Sequence, residues 1–211
     1  LPMDAEFAAE WSVGDVEAGL AAADFVLDES MYHQSLGHQP LETRSCMAYW
    51  ENGKVYVYGS TQSTSRTVGA VARWAEVEPE NVVLVSEFCG GGFGSKGAGS
   101  TSMRFPIVMS RKIGKPVMMR ISRREENFIG RTRPAVQARA KIGFRRDGRI
   151  LAMDLFTVGD GGPYGRSGDH MSLANIASLA YQPESVRVRG VGVYTNTPPR
   201  AAQRAPGGEQ A

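Results

Sequence analysis

The stretch FCGGGFGSKGAGS, Phe88–Ser100, places three consecutive glycines before an aromatic residue, a further glycine, a lysine and then glycine again. Glycine loses more backbone freedom on ordering than any other residue, so a run this permissive must be compensated by a use. Upstream, NVVLVSEF (81–88) is a short apolar, β-branched run that reads as a buried strand. Downstream, STSMRFPIVMSRKIG (100–114) reads as a helix closed by Gly114. A strand, a glycine turn and a helix start bring backbone N–H groups to where an anion or an electron-rich ligand can approach closely.

Gly92, Gly94 and Gly97 satisfy G-x-G-x-x-G, the spacing of a dinucleotide-binding turn. That turn needs a second parallel strand ending in an acidic residue about 20 positions on. Here KPVMMRIS (115–122) carries Arg120 instead, and the pattern starts behind a long segment that already contains a hairpin. A phosphate loop of the Walker type fails because Lys96 is followed by Gly97 rather than by the Ser or Thr that holds magnesium. Glycines that merely allow tight strand-to-helix packing are the third reading.

Working outward, Val16, Leu20 and Ala23 share a face, which predicts a helix over Asp15–Ala23, followed by a strand at VLDESMY (26–32). Asn52-Gly53 between MAYWE and KVYVYG predicts a tight hairpin, as Asp147-Gly148 does between VQARAKIGF (136–144) and RILAMDLFTVGD (149–160). In STSRTVGAVARWAEV (63–77), Val68, Val71, Ala72 and Ala75 predict a helix capped by Ser63 or Ser65. A glycine-rich loop from Gly159, a weak helical patch, a strand at VRVRGVGVYTN (186–196) and the tail TPPRAAQRAPGGEQA complete the chain. The expected class is α+β, with mixed and antiparallel sheet and packed helices, as one domain over residues 1–211.

The chain is 42% hydrophobic and 22% charged, ordinary for a globular protein. Its 24 basic and 22 acidic side chains are interspersed, giving no electrostatic case for nucleic acid. The short basic clusters RKIGK and ISRRE read as solvated faces. Two cysteines, Cys46 and Cys89, form neither a disulfide framework nor a paired zinc motif. No apolar run has the ~20 residues of a membrane span, and no basic head precedes an apolar core near residue 1, so the expectation is a cytoplasmic protein with no transmembrane segment.

HQPLETRS (38–45), GSTQSTS (59–65), CGGGFGSKG (89–97), DGGPYGRSG (160–168) and VYTNTPPRAAQRAPGGEQA (193–211) follow one another in an order that resembles the molybdenum-cofactor-binding large subunit of the xanthine oxidase family of molybdenum hydroxylases. The resemblance covers nearly the whole chain. It implies that Gln62 offers its amide to a molybdenum oxygen, and that the backbone of Gly91, Gly92, Phe93 and Gly94 approaches the cofactor. Arg204 and Ala205 belong to a second loop that meets the metal from the other side. No side chain here is a direct metal ligand in that scheme, because the pterin supplies its own sulfur ligands. Cys89 is accordingly expected to be a buried structural thiol, and His33, His38 and Glu42 to pack or hydrogen-bond rather than hold a metal.

The same resemblance implies molybdenum–molybdopterin, or its cytosine dinucleotide form, as cofactor, with 2Fe-2S and FAD on partner domains or subunits. The implied partners are the remaining half of the large subunit, an iron–sulfur subunit, and a FAD subunit or other electron acceptor. The implied reaction oxidises an aldehyde or an aromatic N-heterocycle with water as the oxygen source. The family's general base is a glutamate in the second half of the large subunit, so no catalytic residue is expected in this chain, which alone should be inactive. Two departures disfavour a purine substrate. Gly97 stands where purine-oxidising members have glutamate, and HMSLANIAS (170–178) offers no counterpart to their substrate-binding arginine. The rival readings are a nucleotide-binding oxidoreductase domain using Gly92–Gly97 and a non-catalytic scaffold fragment.

Overall fold

The computed structural model describes residues 8–163, 169–201, 203–209 and 211. In chain order the elements are β1 (Ala8–Val13), α1 (Val16–Ala21), β2 (Phe25–His33), β3 (Leu36–Gly37), β4 (Ser45–Glu51), β5 (Lys54–Gly59), α2 (Thr64–Ala75), β6 (Val82–Val85) and α3 (Thr101–Ile113). They continue with β7 (Val117–Arg120), α4 (Arg123–Ile129), β8 (Thr132–Arg133), β9 (Val136–Phe144), β10 (Ile150–Asp160), α5 (Asp169–Tyr181) and β11 (Ser185–Val193). The chain divides into two compact units, Gly37–Arg131 and the flanking Leu1–Leu36 with Thr132–Ala211. Both are α+β.

In the Gly37–Arg131 unit the sheet order is β6-β5-β4-β7. The β4–β5 hairpin turns at Asn52 and Gly53, whose φ values of 49° and 74° are those a two-residue primed turn requires. α2 connects β5 to its parallel neighbour β6, and Ser63 caps it by accepting the Arg66 N–H. Inward-facing Cys46, Ala48, Val55 and Val57 alternate along the hairpin and pack against Val71 and Ala75 of α2 and Met103 and Ile107 of α3. Each Val, Ile or Met side chain among them contributes about 1.5–3 kcal/mol when fully buried, so these residues hold the unit together. β6 is an edge strand and only partly buried, unlike the buried strand its sequence suggested.

The long Gly-rich segment leaves β6 and enters α3, but the next strand, β7, is bonded antiparallel to β4 at the opposite edge, with β5 and β4 between it and β6. A dinucleotide-binding unit would set that strand beside β6. After β7 the chain forms α4, opened by a capping box in which Ser122 and Glu125 bond each other's backbone N–H. The ISRRE segment opens this helix, and its Ser122, Arg123, Arg124 and Glu125 are exposed, the solvated face its sequence suggested.

The second unit holds a five-stranded sheet, β1-β11-β10-β9-β2, antiparallel except for the β10–β11 pair that α5 connects. Val136, Ala140, Met153, Leu155, Val186 and Val188 form its covered face, against Leu173, Ala174 and Ala177 of α5. The alternate residues carry charge. Asp154 bonds Arg187 and Arg189 across the β10–β11 pair, and Arg139 grips Asp28 at 2.8 Å across β9–β2. This alternation fixes the register, because a one-residue slip would turn the charged row inward.

Candidate functional site

Between β6 and α3 the backbone takes positive φ at Gly91 (94°), Phe93 (52°) and Gly94 (105°). Two glycines bracket the one L-residue that must adopt this conformation. The N–H groups of Gly90, Gly94, Ser95 and Lys96 are all taken, by Glu42 Oε2 at 2.7 Å, Gln62 Oε1 at 2.9 Å, Gly92 O at 2.9 Å and Gln62 Oε1 at 3.1 Å. Those of Gly91, Gly92 and Phe93 have no partner among the described residues. Three successive donors in alternating backbone conformations make a concavity suited to an electron-rich ligand.

Gln62 lies on the turn between β5 and α2, against this loop. Its Oε1 accepts both the Gly94 and the Lys96 N–H, and its own N–H donates to Lys96 O at 2.9 Å. Only the oxygen of a carboxamide can accept, so these two bonds fix which way the amide is turned. The NH2 group points away and has no partner among the described residues, on an exposed side chain. A Cβ on Gly92 would stand 2.3 Å from Gln62 Oε1, so glycine is what lets the amide lie flat on the loop. Gln62, Gly91, Gly92, Phe93 and Gly94 are thus brought together. Phe93 is 43% exposed and anchors no core.

The motif residues around the loop act as its supports. Lys96 Nζ donates to Glu42 O, Glu42 Oε2 and Ser60 Oγ, each at 2.9 Å. Partial burial pushes the Glu42 carboxyl up, but the Lys96 ammonium, the Gly90 N–H and Ser60 together outweigh it and hold the group below its ordinary range. Arg44, buried, is paired with buried Glu126 of α4, and its guanidinium also donates to Ser95 O at 3.0 Å and Gly130 O at 2.7 Å. Burial, with the nearby Arg131 charge, pulls the Arg44 guanidinium down to about 10. Sequence reasoning missed this pair; the S-x-x-E capping signal at Ser122 could have revealed the helix that carries Glu126.

His38 is buried, with Nδ1 3.3 Å from Arg131 O. Among the described residues no group of three or more His, Cys, Asp or Glu side chains is placed to hold a metal ion, so His33, His38 and Glu42 form no such group. Cys89 corrects its expectation: it is exposed, beside a Phe88 that is itself 84% exposed, because the chain has already left the sheet edge at this point. The buried thiol is Cys46, which burial pushes up to about 12.

In the other unit, Arg204 and Ala205 lie on a turn held by Arg133, a fully buried residue that no sequence pattern marks. Arg133 donates to Gln203 Oε1 at 2.8 Å, Arg204 O at 2.5 Å and Ala205 O at 3.2 Å, and pairs with Glu209 at 3.3 Å. Ala205 is thereby held at a φ of 53° while the Arg204 side chain stays exposed. In the Asp-x-Gly-x-Tyr segment, Asp160 is tied to Arg200, Thr195 and Thr197, a structural role. Its Tyr164, with 165–168, lies outside the described residues.

The family described as "Molybdopterin cofactor-binding domain" matches residues 2–211. Xanthine dehydrogenase/oxidase of Rattus norvegicus is 30% identical over 203 residues, covering 93% of this chain and 15% of that protein. The nicotinate dehydrogenase large molybdopterin subunit of Eubacterium barkeri is 30% identical over 201 residues, covering 94% of this chain and 47% of its own length. Among solved structures, the aldehyde oxidoreductase of Desulfovibrio gigas superposes with a TM-score of 0.84 at 26% identity, covering 96% of this chain and 23% of that one. The chain therefore spans less than half the length of these relatives. With the strand, glycine loop and helix in place and the match running from end to end, the chain belongs to the molybdopterin cofactor-binding domain family of xanthine dehydrogenase and aldehyde oxidoreductase type enzymes.

Proposed function

We propose that this chain is the cofactor-holding part of a molybdenum hydroxylase that oxidises an aldehyde or an aromatic N-heterocycle with water as the oxygen source. The observation that carries the reading is the Gln62 amide: its oxygen is occupied by two loop N–H groups, which turns its two N–H donors outward beside three backbone donors that have no partner among the described residues. Such a cradle fits an oxygen-rich, negatively charged pterin, and the charge of the neighbouring Glu42 carboxylate is countered by the Lys96 ammonium and the Gly90 N–H. Molybdenum–molybdopterin, or its cytosine dinucleotide form, supplies the redox chemistry when bound. Gln62 orients an oxygen of that group without adding charge, and Gly91, Gly92, Phe93 and Gly94 let it approach the backbone. Arg204 and Ala205, on the turn that Arg133 fixes, are the second loop that the resemblance assigns to cofactor binding.

The general base, the 2Fe-2S and FAD centres and the rest of the pterin surface belong to the remainder of the enzyme, on this reading, and the isolated 211 residues do not turn over substrate. Gly97 in place of an acidic residue directs the pocket away from purines. Two unpaired cysteines suit a reducing cytoplasm. The test compares the full enzyme in its native assembly, as parent and as Gly94→Val, purified from molybdenum-replete cells, for molybdenum and pterin per polypeptide. The parent is expected to carry both; Gly94, at a φ of 105° that valine does not tolerate, is expected to lose them on substitution while the hairpins persist. A folded parent with neither molybdenum nor pterin would make this a scaffold and overturn the reading.

A further inference from the structure

We propose that Glu42 and Lys96 are positioning residues for the Gln62 amide, an inference that rests on the cofactor reading above. Lys96 follows the glycines where a phosphate-binding lysine would stand, yet it is only 2% exposed. Its three N–H donors are all spent, on Glu42 O, Glu42 Oε2 and Ser60 Oγ, so it has none left for a ligand.

What Lys96 touches instead links the two ends of the cradle. The Glu42 oxygen that receives the ammonium also accepts the Gly90 N–H at 2.7 Å, and Glu42 N donates back to Gly90 O at 3.1 Å, which pins the point where the loop begins. The fit is close, for a Cβ on Gly90 would stand 2.4 Å from Glu42 Cβ. At the other end the Lys96 N–H bonds Gln62 Oε1 at 3.1 Å, and Lys96 O accepts from Gln62 N at 2.9 Å and Thr61 Oγ1 at 3.0 Å. One residue thus ties the loop start, through its side chain, to the Gln62 turn, through its backbone. If the ammonium is removed, the Lys96 backbone is left to its bonds with Gln62 N and Thr61 Oγ1 alone, the loop start is untied from the Gln62 turn, and the N–H that meets Gln62 Oε1 is less firmly set.

The pair is not what folds the unit. The apolar core of β4, β5, α2 and α3 lies among Ala48, Val55, Val57, Val71 and Ile107, none of which is part of the clasp. Loss of the clasp therefore separates from loss of the core.

The experiment uses the full protein in its native assembly, as parent, Lys96→Met, Glu42→Gln, the double variant, and Val55→Ala as a control that empties core volume. Two readouts are taken besides the melting temperature: molybdenum and pterin per polypeptide, and hydrogen exchange at the Gly94 and Lys96 amides, which report whether Gln62 Oε1 is in place. Each clasp variant should lose about tenfold in pterin retention, the worth of one charge-assisted hydrogen bond, together with protection at both amides. The double variant should be no worse than Lys96→Met, since the two residues act as one. Val55→Ala should melt earlier yet keep its pterin and its amide protection. Clasp variants that keep parental pterin and protection would overturn the proposal, as would pterin loss that follows melting temperature alone across all variants. A parent lacking pterin would defeat the cofactor reading, while the exchange data would still decide whether the clasp sets Gln62.

Discussion

Replacing Gly92 by alanine separates what the glycine loop does for stability from what it does for the ligand. The new Cβ would stand 2.3 Å from Gln62 Oε1, 2.5 Å from its Cδ and 2.7 Å from its Cγ, where ordinary contact begins near 3.4 Å. The obstacle is the far end of a flexible side chain, so Gln62 swings out and the backbone stays. The folded state then loses the bonds from Gly94 N and Lys96 N, at most roughly 1–3 kcal/mol for two neutral hydrogen bonds. Because Gln62 is exposed and water replaces part of that loss, about 1 kcal/mol is expected, or a Tm lower by about 2–4 °C for a chain of this size. Pterin retention should fall far more steeply, because the NH2 group no longer faces the cradle. Denaturant titration of parent, Gly92→Ala, Gln62→Ala and the double variant, with pterin assayed in parallel, forms a closed cycle. In the Gln62→Ala background the Gly92→Ala change should cost nearly nothing. An equal cost in both backgrounds, or a loss above about 4 kcal/mol, would show that the methyl strains the backbone and that the close approach to Gln62 is not what requires glycine.

Three further outcomes follow from the supports of the loop. Glu126→Ala strands the buried Arg44 guanidinium and should cost about 3–5 kcal/mol in a denaturant titration, whereas breaking the solvent-screened Arg139–Asp28 pair by Asp28→Ala should leave the midpoint nearly unmoved. The Glu42 carboxyl is held below its ordinary value of 4.5, so its contribution is complete above that pH and is lost as pH falls through the lower folded value; the parent-minus-Glu42→Gln stability difference should be flat from pH 5 to 8 and shrink below about 4.5. A thiol reagent should label Cys89 but not Cys46 in the native isolated chain, with Cys46 reacting only once denaturant is added.

Local chemistry made much of this legible from the residues. Asn52-Gly53 and Asp147-Gly148 announce hairpins because few residues accept those turns, and Ser63 and Gly114 mark helix ends for similar reasons. The pairing of Gln62 with the glycine loop is implied by the family resemblance that motif order carries, and the geometry adds which face of the amide is free. Long-range partners left no trace in the sequence. Arg44 and Glu126 stand 82 positions apart with nothing local to link them, and RREE looks solvated until Ser122 is recognised as a cap that carries one of its glutamates inward. Arg133 was equally silent, since a buried guanidinium bonded to carbonyls of a distant turn has no periodicity. Cys89 misled because thiols beside apolar strands are usually buried, whereas this one follows the sheet edge into an exposed loop.

The central claim is that the Gln62 amide and the Gly91–Phe93 N–H groups face the bound cofactor, and an experimental structure of the holoprotein, with molybdenum located by anomalous scattering, tests it most directly. The expected result places Gln62 Nε2 within about 3.2 Å of an oxygen of the molybdenum–pterin group, with at least one of the three loop N–H groups donating to it and Lys96 still buried on Glu42. A cofactor lying away from the loop, or a Gln62 whose oxygen rather than its NH2 group faces it, would contradict the account.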